Sequence, residues 1–143
     1  MMDCILAVMM AIVAFITGWI LAGINIRRQK KTDRAEHRIE NTQRNIGNRV
    51  CNALNDAADQ NPEAHLRAKT IFCNGGEVYR VYLSFDFSGA DLLLVDIDPR
   101  QSVPITVFFN KSRLEKYYDI TEGDLVRLIQ MLQEFVVNYS PER

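Results

Sequence analysis

Cysteine is scarce in this chain, and what there is forms no pattern. Cys4, Cys51 and Cys73 make an odd number with no metal-ligand spacing. That argues against a disulfide framework and against a cysteine-built metal centre, and Cys51 and Cys73 read as small buried apolar residues. Histidine is scarcer still. His37 and His65 have no second histidine, cysteine or carboxylate at ligand spacing, so no metal site is expected. No glycine-rich loop follows a strand to cradle a phosphate, and no serine or cysteine sits in a nucleophile motif. No cofactor is implied. There is no repeat of solenoid period and no low-complexity segment.

Charge is missing where it matters most. Residues 4–26 form a charge-free apolar run of 23 residues containing eleven Leu, Ile, Val or Phe. At a rise of about 1.5 Å per residue such a helix spans roughly 34 Å, against about 30 Å for a bilayer core. The eleven large side chains favour insertion by about −3 to −6 kcal/mol. Lys and Arg are absent before the run, whereas Arg27, Arg28, Lys30, Lys31 and Arg34 crowd its far end. Basic residues stay in the cytoplasm, so the N-terminus is expected outside and everything after the run inside. A cleaved signal peptide would need a basic leader and a shorter core, and neither is present. With a cytoplasmic head, the sequons Asn110-Lys111-Ser112 and Asn138-Tyr139-Ser140 carry no meaning.

The net charge of −1 hides an asymmetry. Residues 27–49 hold eight basic and three acidic residues, and residues 50–143 hold nine and fourteen. A basic neck thus precedes an acidic head. The five-residue basic cluster faces lipid, where each cation near an anionic surface contributes about 1 kcal/mol. The head has no basic patch with interleaved aromatics, so no nucleic-acid partner is expected.

The neck, residues 27–61, reads as helix with a thin apolar seam. Gly47 and the asparagines 41, 45, 48, 52 and 55 weaken it. Asn61 and Pro62 suit the N-cap and first residue of a short helix reaching about Lys69. The period then changes to two. Strands are predicted over 70–73, 78–87, 92–97 and 103–109, joined by turns short enough for an antiparallel meander. Thr121 caps a last helix whose stripe of Leu125, Leu128, Ile129, Leu132, Phe135, Val136 and Tyr139 must bury itself, most simply on one face of the sheet.

The expected fold class is therefore α+β. It comprises a single N-terminal transmembrane helix (1–26), a helical neck (27–61) and a small two-layer domain (62–143) with a four-stranded meander and a C-terminal amphipathic helix. At the level of fold only, this order is similar to small secretion-chaperone domains.

Two constellations bear on function. Leu92-Leu93-Leu94-Val95-Asp96-Ile97-Asp98 resembles the nucleophile motif of haloacid-dehalogenase-type phosphatases, which would imply a membrane-anchored hydrolase using Asp96 and Asp98. Pro99-Arg100 replace the usual Gly-Thr, and the alternating βαβ pattern is absent. Phe108-Phe109 and Tyr117-Tyr118 could line a groove, or serve as core. In the apolar run, Ala7, Ala11, Ala14, Gly18, Ala22 and Asn25 fall within an arc of about 80° at 100° per residue. Small residues on one stripe let two helices approach, and an Asn can hydrogen-bond across them. Positions 11, 18, 25, 32, 39, 46 and 53 continue a seven-residue step, a coiled-coil signature. The function expected is a non-enzymatic, membrane-tethered interaction or regulatory protein, an accessory subunit of a membrane complex, self-associating or paired with another membrane protein. A small phage or bacterial inhibitor of a membrane partner is the alternative within that class.

Overall fold

No proline occurs before position 62, and the charge-free run passes into Arg, Lys, Glu, Gln and Ala, all strong helix formers. In a computed structural model, which describes residues 2–109 and 114–141, this stretch is one helix, α1 (Met2–Asp59). Among the described residues it alone is long and apolar enough to cross a membrane. Its most apolar 18-residue window has a mean hydropathy of 2.6 and no buried residue. Inside the run the Thr17 hydroxyl donates back to Val13 O and Ala14 O at 2.8 and 3.0 Å.

The chain divides into two units, Met1–Ile39 and Glu40–Arg143. The second unit thus begins well before the boundary expected at residue 62. The reason lies in the last five turns of α1. Ile46, Val50, Ala53, Leu54, Ala57 and Ala58 face inward and are buried. The seam at 46 and 53, read as coiled-coil continuation, is spent inside the head.

After Asp59 the chain turns. A 3₁₀ turn occupies Pro62–Ala64, and His65 adopts a left-handed conformation (φ 52°, ψ 48°) that redirects the chain into a strand. The short helix expected to reach Lys69 is confined to that turn. Leu66 and Ala68 are buried while Arg67 and Lys69 are exposed, a period of two.

The sheet has five strands, one more than expected: β1 (Leu66–Cys73), β2 (Val78–Phe85), β3 (Asp91–Ile97), β4 (Ile105–Phe109) and β5 (Leu114–Tyr118). They lie in chain order, each antiparallel to the next. The β1–β2 turn runs through Asn74, Gly75 and Gly76 at φ 52°, 70° and 94°, a path for which glycine is the natural residue. Register puts Ala68, Leu83, Leu93 and Phe109 in one cross-strand row, and Thr70, Val81, Val95 and Val107 in the next. All of these except Thr70 are buried.

The closing helix, α2 (Glu122–Val137), starts as the sequence predicts. The Thr121 hydroxyl oxygen accepts from Asp124 N, and Leu125, Leu128, Leu132 and Val136 enter the core. The end of α1, α2 and one face of the sheet share a single hydrophobic cluster. Among the described residues no helix lies on the opposite sheet face.

Polar side chains on α1 lock this packing. Gln43, buried, donates its amide to Glu77 O and Ile97 O at 2.8 and 3.0 Å. Asn55 donates to Ala68 O at 3.2 Å and accepts from Ala68 N–H at 2.9 Å. Asn61 makes no capping bond to the turn after it. It donates instead to Val136 O and Tyr139 O at the far end of α2, which fills carbonyls a helix terminus leaves open.

Candidate functional site

The Asp-x-Asp pair sits where β3 ends. Alternation along the strand sends Asp96 to the uncovered face. There Arg80 of β2, its cross-strand neighbour, grips it with two bonds of 2.6 and 2.9 Å. Asp98 lies past the strand and is buried. Its carboxylate accepts from Arg100 N, Arg100 Nε and Gln101 Nε2, and its own N–H donates to Pro104 O. Both carboxylates are thus engaged by separate arginines, one across the sheet and one closing a turn. Among the described residues no three His, Cys, Asp or Glu cluster as a metal could require.

Burial pushes the Asp98 carboxyl up, but the Arg100 and Gln101 hydrogen bonds and the Arg100 charge outweigh it and hold the group below its ordinary value. A carboxyl whose folded value lies below its unfolded value of about 3.9 stabilises the fold above that pH. The contribution drains away as pH falls through the folded value. Asp98→Asn should therefore cost about 1–2 kcal/mol at pH 7 and much less at pH 3. Urea midpoints of both proteins at the two pH values give the comparison. A gap of equal size at both would mean the charge of Asp98 contributes nothing.

The four aromatics, which by sequence could line a groove or serve as core, are split by strand alternation. Phe108 and Tyr117 face the uncovered side, where Tyr117 is 59 % exposed. Phe109 and Tyr118 face inward, and burial pushes the Tyr118 phenol up. Phe109 floors a shallow groove of about 520 Å³ beside α2, with Met131, Phe135 and Tyr139 alongside and Lys116 and Glu134 on the rim. Its rings form a chain, Phe109 against Phe135 at 5.0 Å and Phe135 against Tyr139 at 6.0 Å. Phe87, the last residue of the predicted 78–87 strand, lies beyond β2 and is 83 % exposed. It meets the His65 ring edge-on at 4.7 Å. His65 also borders a cavity of about 170 Å³ with Asp59, Arg67 and Asp86, where Arg67 already pairs with Asp59.

The small-residue positions Ala7, Ala11, Ala14, Gly18, Ala22 and Asn25 and the basic residues Arg27, Arg28, Lys30, Lys31 and Arg34 are all exposed on α1. A side chain built at Gly18 would meet no other atom within 4 Å. Cys4 is exposed, and Cys51 and Cys73 are half-buried and free. Burial raises the Cys51 thiol, in keeping with an inert apolar role. The first sequon, residues 110–112, lies outside the described residues, and Asn138 of the second is the C-cap of α2.

Sequence reasoning missed the uncovered face itself. Its residues come into line only through register. Tyr82 on β2, Leu94 on β3 and Phe108 on β4 are direct cross-strand neighbours in one row.

No known protein family matches this chain, and neither a curated protein nor a solved structure is similar to it.

Proposed function

We propose that this chain is a single-pass membrane protein whose cytoplasmic head is a non-enzymatic interaction or regulatory module serving a membrane complex. One observation carries the reading. The 23-residue charge-free run displays its bulky side chains outward, with Phe15 at 77 % and Trp19 at 78 % exposure, and ends in a basic cluster. In water that surface is unfavourable, and in lipid it is matched. The Thr17 hydroxyl, satisfied by backbone carbonyls of its own helix, suits a medium that offers no hydrogen bonds. The cations from Arg27 to Arg34 support a cytoplasmic head and attraction to anionic lipid. The Ala7–Asn25 face supports packing against a second helix, from another copy or another membrane protein. Binding is favoured over hydrolysis because Asp96 and Asp98 each already hold an arginine.

Alkaline extraction of membranes from cells expressing the full chain tests the anchor. A C-terminal reporter active only outside the cytoplasm tests its direction. The chain should stay in the membrane pellet with the reporter silent. Release by alkali would sink the anchor, and an active reporter would reverse the orientation.

A further inference from the structure

One face of the sheet is buried under the end of α1 and α2, and no element among the described residues covers the other. That open face is not an ordinary solvated one. Its central row runs Tyr82, Leu94, Phe108 across β2, β3 and β4, all half-buried with no helix above them. The neighbouring row runs Ile71, Arg80, Asp96, Thr106, Tyr117 across all five strands. Ile71 and Tyr117, at its two ends, are 51 % and 59 % exposed. Arg80 and Asp96 neutralise each other in a two-bond ion pair, so the middle of the face has no net charge. Arg67 and Lys69 of β1 share this face and are exposed, so its edge is charged, while its middle, apolar and charge-cancelled, is a candidate interface with a polar rim.

We propose that this face pairs with the same face of a second copy. The register makes it self-complementary about β3, the middle strand. With a two-fold axis along β3, Leu94 meets Leu94 of the second copy. Tyr82 and Phe108, one strand to either side, then exchange places, each aromatic opposite the other. Ile71 lies opposite Tyr117 in the same way, and Asp96 meets Asp96 of the second copy on the axis, each carboxylate flanked by its own Arg80 and the other copy's. Such isologous matching is what a two-fold interface requires, and sheets commonly stack face to face about 10 Å apart. Size bears on the occupant too. Strand spacing and rise give the face roughly 450 Å². Two copies therefore bury about 900 Å², less than the about 1,200–2,000 Å² of a stable soluble complex. Two heads held in one membrane need less, because tethering raises their effective concentration toward millimolar. The pairing rests to that extent on the membrane-tethered reading.

Thiol cross-linking of the full chain in native membranes decides it. Cys4 and Cys73 are first replaced by Ser, and a short bismaleimide is the probe. The axis predicts that Leu94→Cys links to itself, at least tenfold above Arg127→Cys on the exposed side of α2. It also predicts that differently tagged Tyr82→Cys and Phe108→Cys copies, co-expressed, link to each other more than Tyr82→Cys links to itself. This second set does not depend on Leu94. A Leu94→Cys yield no higher than Arg127→Cys, a dominant Tyr82-to-Tyr82 product, or attachment of Leu94→Cys to a different protein would each overturn the pairing. Alkaline extraction of the same membranes is scored separately, with cross-links read in whichever fraction holds the chain. Failure of the anchor is then distinct from failure of the pairing.

Discussion

A chain trimmed to residues 62–143 will show no cooperative unfolding, while one beginning at Glu40 will unfold in a single transition. The shorter piece holds every strand and α2, yet it lacks the cover for half of the sheet's inner face. Ile46, Val50 and Leu54 are almost fully buried, and Ala53, Ala57 and Ala58 pack beside them. Burying a Val, Leu or Ile is worth about 1.5–3 kcal/mol, so these three alone contribute roughly 5–9 kcal/mol. That equals the whole net stability of many small domains, about 5–15 kcal/mol. Trimming also removes the Gln43 amide that Ile97 O and Glu77 O accept from, which ties α1 to the sheet. Urea titration followed by circular dichroism reads both pieces. A cooperative transition for 62–143, with a midpoint near that of 40–143, would show that the α1 segment is cladding and not core.

The second large effect concerns Gly47, where helix propensity and packing give opposite signs. On an exposed helix, Gly→Ala stabilises by about 1 kcal/mol. Here a Cβ would stand 2.1 Å from Tyr79 Cε1 and 2.3 Å from Cδ1. The Tyr79 ring cannot swing freely aside. It is 5 % exposed, packs 4.7 Å from Phe72 and donates its hydroxyl to Asn48 at 3.1 Å. Gly47→Ala should therefore lower stability by about 1–3 kcal/mol, the usual range for overpacking, despite the better helix former. In a Tyr79→Leu background, which vacates the ring's place, the same change should become neutral or stabilising. A stabilising Gly47→Ala in the unaltered protein would mean that the ring does not sit on the helix.

Those two positions also show where sequence reading stops. Periodicity reveals an element when its own side chains alternate between oil and water. β2 does so, as does α2 with its Thr121 cap, while β3 and β4 show as apolar runs between turns. β5, Leu-Glu-Lys-Tyr-Tyr, does neither. It is short and half charged, and nothing local marks it as the fifth strand. Leu66 and Ala68 alternate with Arg67 and Lys69, but Pro62 and Glu63 just before them mimic a helix start. The polar residues of α1 misled most. Gly47, Asn48 and Asn55 look like helix weakeners, and Asn61 beyond the helix looks like an N-cap, because their use depends on partners far along the chain: Tyr79, Ala68 and the end of α2. By sequence, a helix with a thin apolar seam therefore reads as a neck, although its polar side chains are fitted to the fold. The uncovered face is illegible for a related reason, since no strand announces which of its residues will lie beside those of another.

The Asn55 clasp on Ala68 has a meaning beyond holding α1 in place. β1 lies at a border of the sheet, and a border strand is a template on which a stranger's backbone can continue the ladder. A carboxamide has the same donor and acceptor as a peptide unit. At Ala68, Asn55 behaves as one link of a neighbouring strand that is only one residue long. A foreign segment laid along β1 would need those same two groups and would find them occupied in the middle of its path. One side chain thus interrupts the ladder at Ala68 by chemistry, where a helix alone would merely crowd it.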